Sequence, residues 1–126
     1  MRLRIFGNIL NKAKLTGTKP ILTLKNAVIH TLYVWVDDKD AEIVVDVDGQ
    51  RISFTADKLY EMSIRAYDSG MIVRGIPQLL VYDDTNDIYL MSFALNERVH
   101  SFNLVIVAPS GRTIEYAYQV MAEVSE

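Results

Sequence analysis

From about residue 20 onward, apolar and polar residues alternate with a period of two, which restricts the chain to strands with one face turned to a core. The clearest stretch runs from Thr113 to Val124. There Ile114, Tyr116, Tyr118, Val120, Ala122 and Val124 share one face, and Thr113, Glu115, Gln119 and Glu123 share the other. Ala108-Pro109-Ser110-Gly111 supplies turn chemistry before it, and Val99–Ala108 reads as its hairpin partner. A second hairpin centres on Asp48-Gly49, a pair suited to the positive φ of a tight turn. Ala41, Ile43, Val45 and Val47 precede it on one face; Ile52 and Phe54 follow it. A third joins Gln78–Tyr82 to Ile88–Leu95 through the polar loop Asp83-Asp84-Thr85-Asn86-Asp87.

Ala27–Val36 is apolar on both faces, which predicts a central strand covered on both sides. Tyr60, Met62, Ile64 and Ala66 alternate with Glu61, Ser63 and Arg65, predicting a further strand ended by Asp68-Ser69-Gly70. Ala56–Tyr60 is read as one helical turn at most, and Pro77 as an edge or a break. In the first fifteen residues, Leu3, Phe6, Leu10 and Ala13 fit a helical stripe. Gly7 weakens that reading, and extended structure with a turn at Gly7-Asn8 is preferred. About eight mostly antiparallel strands follow, in a single hairpin-rich, all-β domain over residues 1–126. A β-sandwich is expected, with a small β-barrel as the alternative.

Of the 126 residues, 50% are hydrophobic and 23% charged, the balance of a globular domain. With no cysteine, disulfides, thiolate metal sites and a cysteine nucleophile are excluded. No apolar run reaches the ~18–20 residues of a membrane-spanning helix. The start of the chain is basic, but its apolar stretch is broken by Gly7 and Asn8, so it is read as mature protein and not as a signal peptide. A cytoplasmic or virion-associated location is favoured on that reading.

Charge is divided unevenly along the chain. Arg2, Arg4, Lys12, Lys14, Lys19 and Lys25 fall before residue 37 with no acid among them. The other seven cations and all sixteen acids follow, so a +6 segment precedes a −9 body. Residues 1–19 are therefore expected to form a basic arm, and these six cations are the candidate interaction residues.

Catalytic signals are thin. His30 and His100 lie within strands, each expected to share a face with apolar neighbours, so both are read as structural. Asp37, Asp38, Asp46, Asp48, Asp83 and Asp87 sit at strand ends and are weak calcium candidates, because loop carboxylates can supply that ion's oxygens. The same residues are what turns and soluble edges select. The glycines form no phosphate-binding pattern, and Phe6 is the only aromatic near the basic segment's start, which disfavours nucleic acid. No cofactor is expected. Tyr116 and Tyr118 are read as core.

These features favour a non-enzymatic, protein-binding subunit of a larger assembly, such as a phage or virion accessory protein. Its arm would contact a neighbouring copy, head to tail, in a ring or larger particle. The alternative is a small module binding carbohydrate or calcium. An enzyme or a nucleic-acid binder ranks below both.

Overall fold

The computed structural model describes residues 1–69 and 77–125, with the backbone alone for 63–69. The elements are β1 (Arg2–Gly7), β2 (Ala13–Thr16), β3 (Thr18–Val36), β4 (Glu42–Val47), β5 (Gln50–Phe54), α1 (Ala56–Ser69), β6 (Gln78–Asp83), β7 (Ile88–Val107) and β8 (Thr113–Val124). The eight strands form one antiparallel sheet, ordered β1-β8-β3-β7-β4-β5. β2 pairs with β8, and β6 with β7. The sheet is all-β and sandwich-like, and it does not close into a barrel.

The spine is the β3–β7 ribbon, of 19 and 20 residues. A straight strand of that length would reach about 65 Å. A compact domain of this size is only roughly 35 Å across, so the ribbon has to turn back on itself. Asn26 (φ 50°) and Asn96 (φ 54°) lie at the middle of the two strands, in the left-handed region that asparagine tolerates. A register shift between Ile29 and Thr31 adds to the irregularity there. On either side of it, the two halves of the ribbon contribute to a single buried cluster. Leu24, Phe102, Leu104 and Ile106 come from one half, and Ile29, Leu32, Val34, Met91 and Val120 from the other end of the sheet.

That register shift corrects the reading of the central strand. Strict alternation puts Ile29 and Leu32 on opposite faces, yet both are buried, because one extra residue between them restores the same side. Val28, Tyr33 and Trp35, on the other face, are only half-buried. The strand is thus fully covered on one side only. His100 is exposed while Phe102 is fully buried, so His100 does not share the apolar face expected for it.

Two further expectations are overturned. Val99–Val107 and Thr113–Val124 are both strands, but they do not pair as a hairpin, since β3 lies between them. A strand has two edges. One edge of β7 is taken by β3 along most of its length, and the other by β6 and then β4. This leaves β8 the free side of β3, and the loop after Val107 crosses over to reach it. Ala108 N donates to Gly17 O at 2.8 Å at the start of that crossing.

Residues 60–66 are helical, not a strand. Thr55 caps α1: its Oγ1 accepts from Lys58 N at 3.2 Å, and Asp57 places a negative charge in the first turn. Ala56 and Leu59, three apart, are buried, a helical spacing that the alternation further on obscured. The stop expected at Asp68-Ser69-Gly70 falls partly outside the described residues.

The Asp48-Gly49 turn is formed, with both residues at positive φ and Val47 opposite Gln50. The β6–β7 hairpin is formed as well, with Asp83 opposite Ile88. Residues 2–7 are extended, but β1 and β2 make no hairpin. Both run antiparallel to β8, Gly7 opposite Gln119 and Ala13 opposite Tyr116, as one edge strand interrupted by residues 8–12. Gly7 is required at the interruption: its φ is +75°, and a Cβ there would lie 2.6 Å from Tyr118 O. Among the described residues no helix is long and apolar enough to cross a membrane.

Candidate functional site

Two regions stand out: a cleft at one end of the sheet, and the β1 edge towards the other. The cleft, of about 450 Å³, is lined by Asp37, Asp38, Lys39, Asp40, Asp84, Asp87, Tyr89 and Arg112. Asp37–Asp40 follow β3, Asp84 and Asp87 come from the β6–β7 turn, and Arg112 precedes β8. Three connections that sequence spacing could not relate therefore meet there.

Five carboxylates face two cations there, and among the described residues all of the five but Asp87 have partners. Arg112 bridges Asp38 and Asp40, at 3.2 and 3.4 Å. Lys39 Nζ is 3.8 Å from Asp84, whose Oδ1 also accepts the Tyr89 hydroxyl at 2.6 Å. The negative charge of Asp84 raises the Lys39 pKa above its ordinary value. Asp37 Oδ1 accepts from Glu115 N at 3.0 Å, and Asp38 Oδ1 from Asp40 N at 2.9 Å. Asp83 accepts from the backbone of Thr85 and Asn86 and from the Asn86 amide. Those bonds, the Asn86 side chain's first, hold its carboxyl below the usual range, the wrong direction for a general acid.

Beside the cleft, Tyr60, Tyr82 and Tyr89 pack together from three elements. Tyr60 stacks on Tyr82 at 4.1 Å, and Tyr89 meets Tyr82 edge-on at 5.1 Å. The Tyr82 hydroxyl donates to Asp57 at 3.1 Å, which ties α1 to the sheet. Burial, then the bond to Asp84, raises the Tyr89 phenol well above its ordinary pKa of 10. Burial, then the bond to Asp57, raises that of Tyr82. A phenol that holds its proton more tightly when folded stabilises the fold below the ordinary phenol value and loses that contribution as pH rises through the folded one. The melting temperature is therefore expected to fall as pH is raised above about 10. Tyr89→Phe should flatten that decline in a thermal-denaturation series; an unchanged slope would separate Tyr89 from it.

Of the six calcium candidates, Asp37, Asp38 and Asp87 line the cleft and the other three do not. Asp46 and Asp48 lie at the β4–β5 turn, away from the cleft. Asp46 accepts from Gly49 N, and Asp48 from the amides of His100 and Ser101, at 2.8 and 2.9 Å. Among the described residues, no three histidine, aspartate or glutamate side chains converge as metal ligands. His30 spans Glu123, at 3.1 Å, and Asn96, at 3.4 Å, tying β8 to the bend of the ribbon.

The six cations of the basic segment are spread over the sheet's own surface. Arg4 lies over Phe6 (5.2 Å), Lys12 over Trp35 (4.5 Å) and Lys19 over Tyr116 (5.8 Å). Lys14 stands opposite Glu115, and Lys25 opposite Ser101. Arg2 stands opposite Val124 on β1. Residues 2–7 and 13–16 are sheet, so the segment is no free tail.

What the charge argument overlooked is the face between the arginines. Met1, Leu3 and Ile5 are 56, 55 and 58% exposed, and Leu10 in the following loop is 82% exposed. Arg2 and Arg4 alternate with Leu3 and Ile5, and the arginines share the face of Phe6, which packs on the core. The signal was present as an alternation whose apolar residues, Leu3 and Ile5, stay more than half exposed. Among the described residues β1 is also the last strand on its side of the sheet, with one edge of its backbone unpaired by another strand. Compared with models of known protein families and with curated proteins, the chain matches none.

Proposed function

We propose that this chain is a non-enzymatic structural subunit that acts by associating with protein, most simply with further copies of itself, through its N-terminal edge. A phage or virion accessory protein is the most concrete version of that reading. The observation that carries it is β1: an end strand of the sheet whose outward face shows Leu3 and Ile5 more than half exposed. Isolated exposed apolar residues are ordinary, but an apolar row on a free strand edge is a site that proteins normally blunt or cover. The alternative, a ligand-binding module, draws on the cleft and its neighbouring tyrosines. There the carboxylates other than Asp87 are engaged by Arg112, Lys39, Tyr89 and backbone amides. Among the described residues the Leu3–Ile5 face stays more than half exposed, and so it supports the reading better.

Light scattering across a dilution series tests it. The expected result is a solution mass above that of one chain, falling towards it on dilution. A single-chain mass at every concentration would overturn self-association and turn the search to foreign partners.

A further inference from the structure

We infer that the contact is an antiparallel pairing of β1 with β1 of a second copy about a two-fold axis at Ile5, continuing one sheet into the next. The inference rests on the assembly reading and says which surface makes the contact. Docking of the basic segment on a neighbour's acidic end is the competing arrangement, and much of both parties is engaged within the chain. Lys12 and Lys19 lie over rings of their own chain, and Lys14 stands opposite Glu115. Asp38, Asp40 and Asp84 are bridged by Arg112 and Lys39. Of the apolar strand surfaces that remain, the β1 edge is the most exposed, with Leu3 and Ile5 at 55 and 58% against 46% for Leu80 and 39% for Val81 on β6.

Charge then selects the register. Across a two-fold axis perpendicular to the sheet, directly opposed residues share a face, so Leu3 and Ile5 must meet odd-numbered partners. Centring on Leu3 sets Arg2 against Arg4, and centring on Arg4 sets Arg4 against itself. Like charges directly opposite are unfavourable. Centring on Phe6 or Gly7 also avoids both but carries the pairing past the end of β1, whereas centring on Ile5 keeps residues 3–7 paired within it: Ile5 meets Ile5, Leu3 meets Gly7, and Arg4 meets Phe6 of the second copy. That last pair reproduces between chains the guanidinium–ring contact that Arg4 makes with its own Phe6 at 5.2 Å. Such a contact gains nothing from opposite charge, so raising salt should not dissociate it, whereas docking on the acidic end should weaken as screening rises.

The absence of cysteine gives a direct test. Opposed Cα atoms in an antiparallel pair lie about 4.5–5.5 Å apart, within disulfide reach. Ile5→Cys is expected to form a disulfide-linked dimer under mild oxidation about tenfold faster than Leu10→Cys. Leu10 is the more exposed of the two, at 82% against 58%, so chance collision favours the opposite order. Light scattering at low and high salt is run on the unmodified chain alongside. Faster linkage at Ile5 with a salt-resistant oligomer supports the pairing. Linkage at Leu10 as fast as at Ile5, in a chain that is still oligomeric, overturns the pairing and leaves assembly through another surface. A single-chain mass throughout overturns both.

Discussion

Replacing Phe102 by alanine is expected to lower the free energy of unfolding by about 3–5 kcal/mol, measured by urea denaturation. Phe102 is the largest of the fully buried side chains, and it lies next to the ribbon's bend, opposite Leu24 on β3 and Val47 on β4. If the two halves of the ribbon share one core, the void left by the ring weakens both. The transition should then stay single and shift as a unit. Two separate transitions, or a loss below about 1 kcal/mol, would mean that the halves are stabilised independently.

Gly7→Ala is the second. Its backbone is in the left-handed region, at φ +75°, and a Cβ would lie 2.6 Å from Tyr118 O and 2.7 Å from the Tyr118 ring. The carbonyl belongs to β8 and cannot yield without breaking the edge pairing. Conformational strain and the clash together are expected to cost about 2 kcal/mol, or to detach β1 from β8. Detachment would show as selective loss of amide protection in residues 2–7 while β3 and β7 keep theirs. Gly17, also at positive φ (+77°) but with nothing within 4 Å of a Cβ, is the control. Gly17→Ala carries the strain alone and should cost about 1 kcal/mol. Equal losses at the two positions would show that the contact with Tyr118 contributes nothing.

Much of the fold could be read from local pattern, because half-buried strands advertise themselves by alternation. The Thr113–Val124 face was legible almost residue by residue, and the Asp48-Gly49 and Asp83–Asp87 turns came directly from turn chemistry. What failed was pairing and continuity. Adjacency in sequence suggested that Val99–Ala108 pairs with Thr113–Val124, but which edges are free depends on the long β3–β7 ribbon, a non-local fact. The ribbon was itself hidden, because its bend at Asn26 and Asn96 looked like strand ends, and the bulge after Ile29 reverses parity without a glycine or proline to mark it. At Tyr60–Ala66 alternation pointed to a strand, and the helical turn read at Ala56–Tyr60 was too short; the structure caps the helix at Thr55, buries Ala56 and Leu59 and carries it to Ser69.

The candidate sites follow the same division. The loop aspartates were visible in sequence, but their turn-stabilising hydrogen bonds and the bridges from Arg112 required the assembled end of the sheet. The tyrosine group arises from three separated elements and had no linear signature. At the N-terminus the cations drew attention by their count, while the interaction surface proposed here is the apolar face alternating with two of them. Nothing local marks β1 as an end strand, or Leu3 and Ile5 as exposed, until its place beside β8 in the sheet is known.

The most direct measurement of the account is amide hydrogen exchange along β1 as a function of protein concentration. Alternate amides of an end strand point away from its neighbour and exchange freely unless another strand receives them. Association through this edge predicts that protection of those amides in residues 2–7 rises with concentration, and that Ile5→Glu abolishes the rise while leaving the β3 and β7 amides protected. Exchange along β1 that is independent of concentration, in a solution where light scattering shows an oligomer, would contradict it.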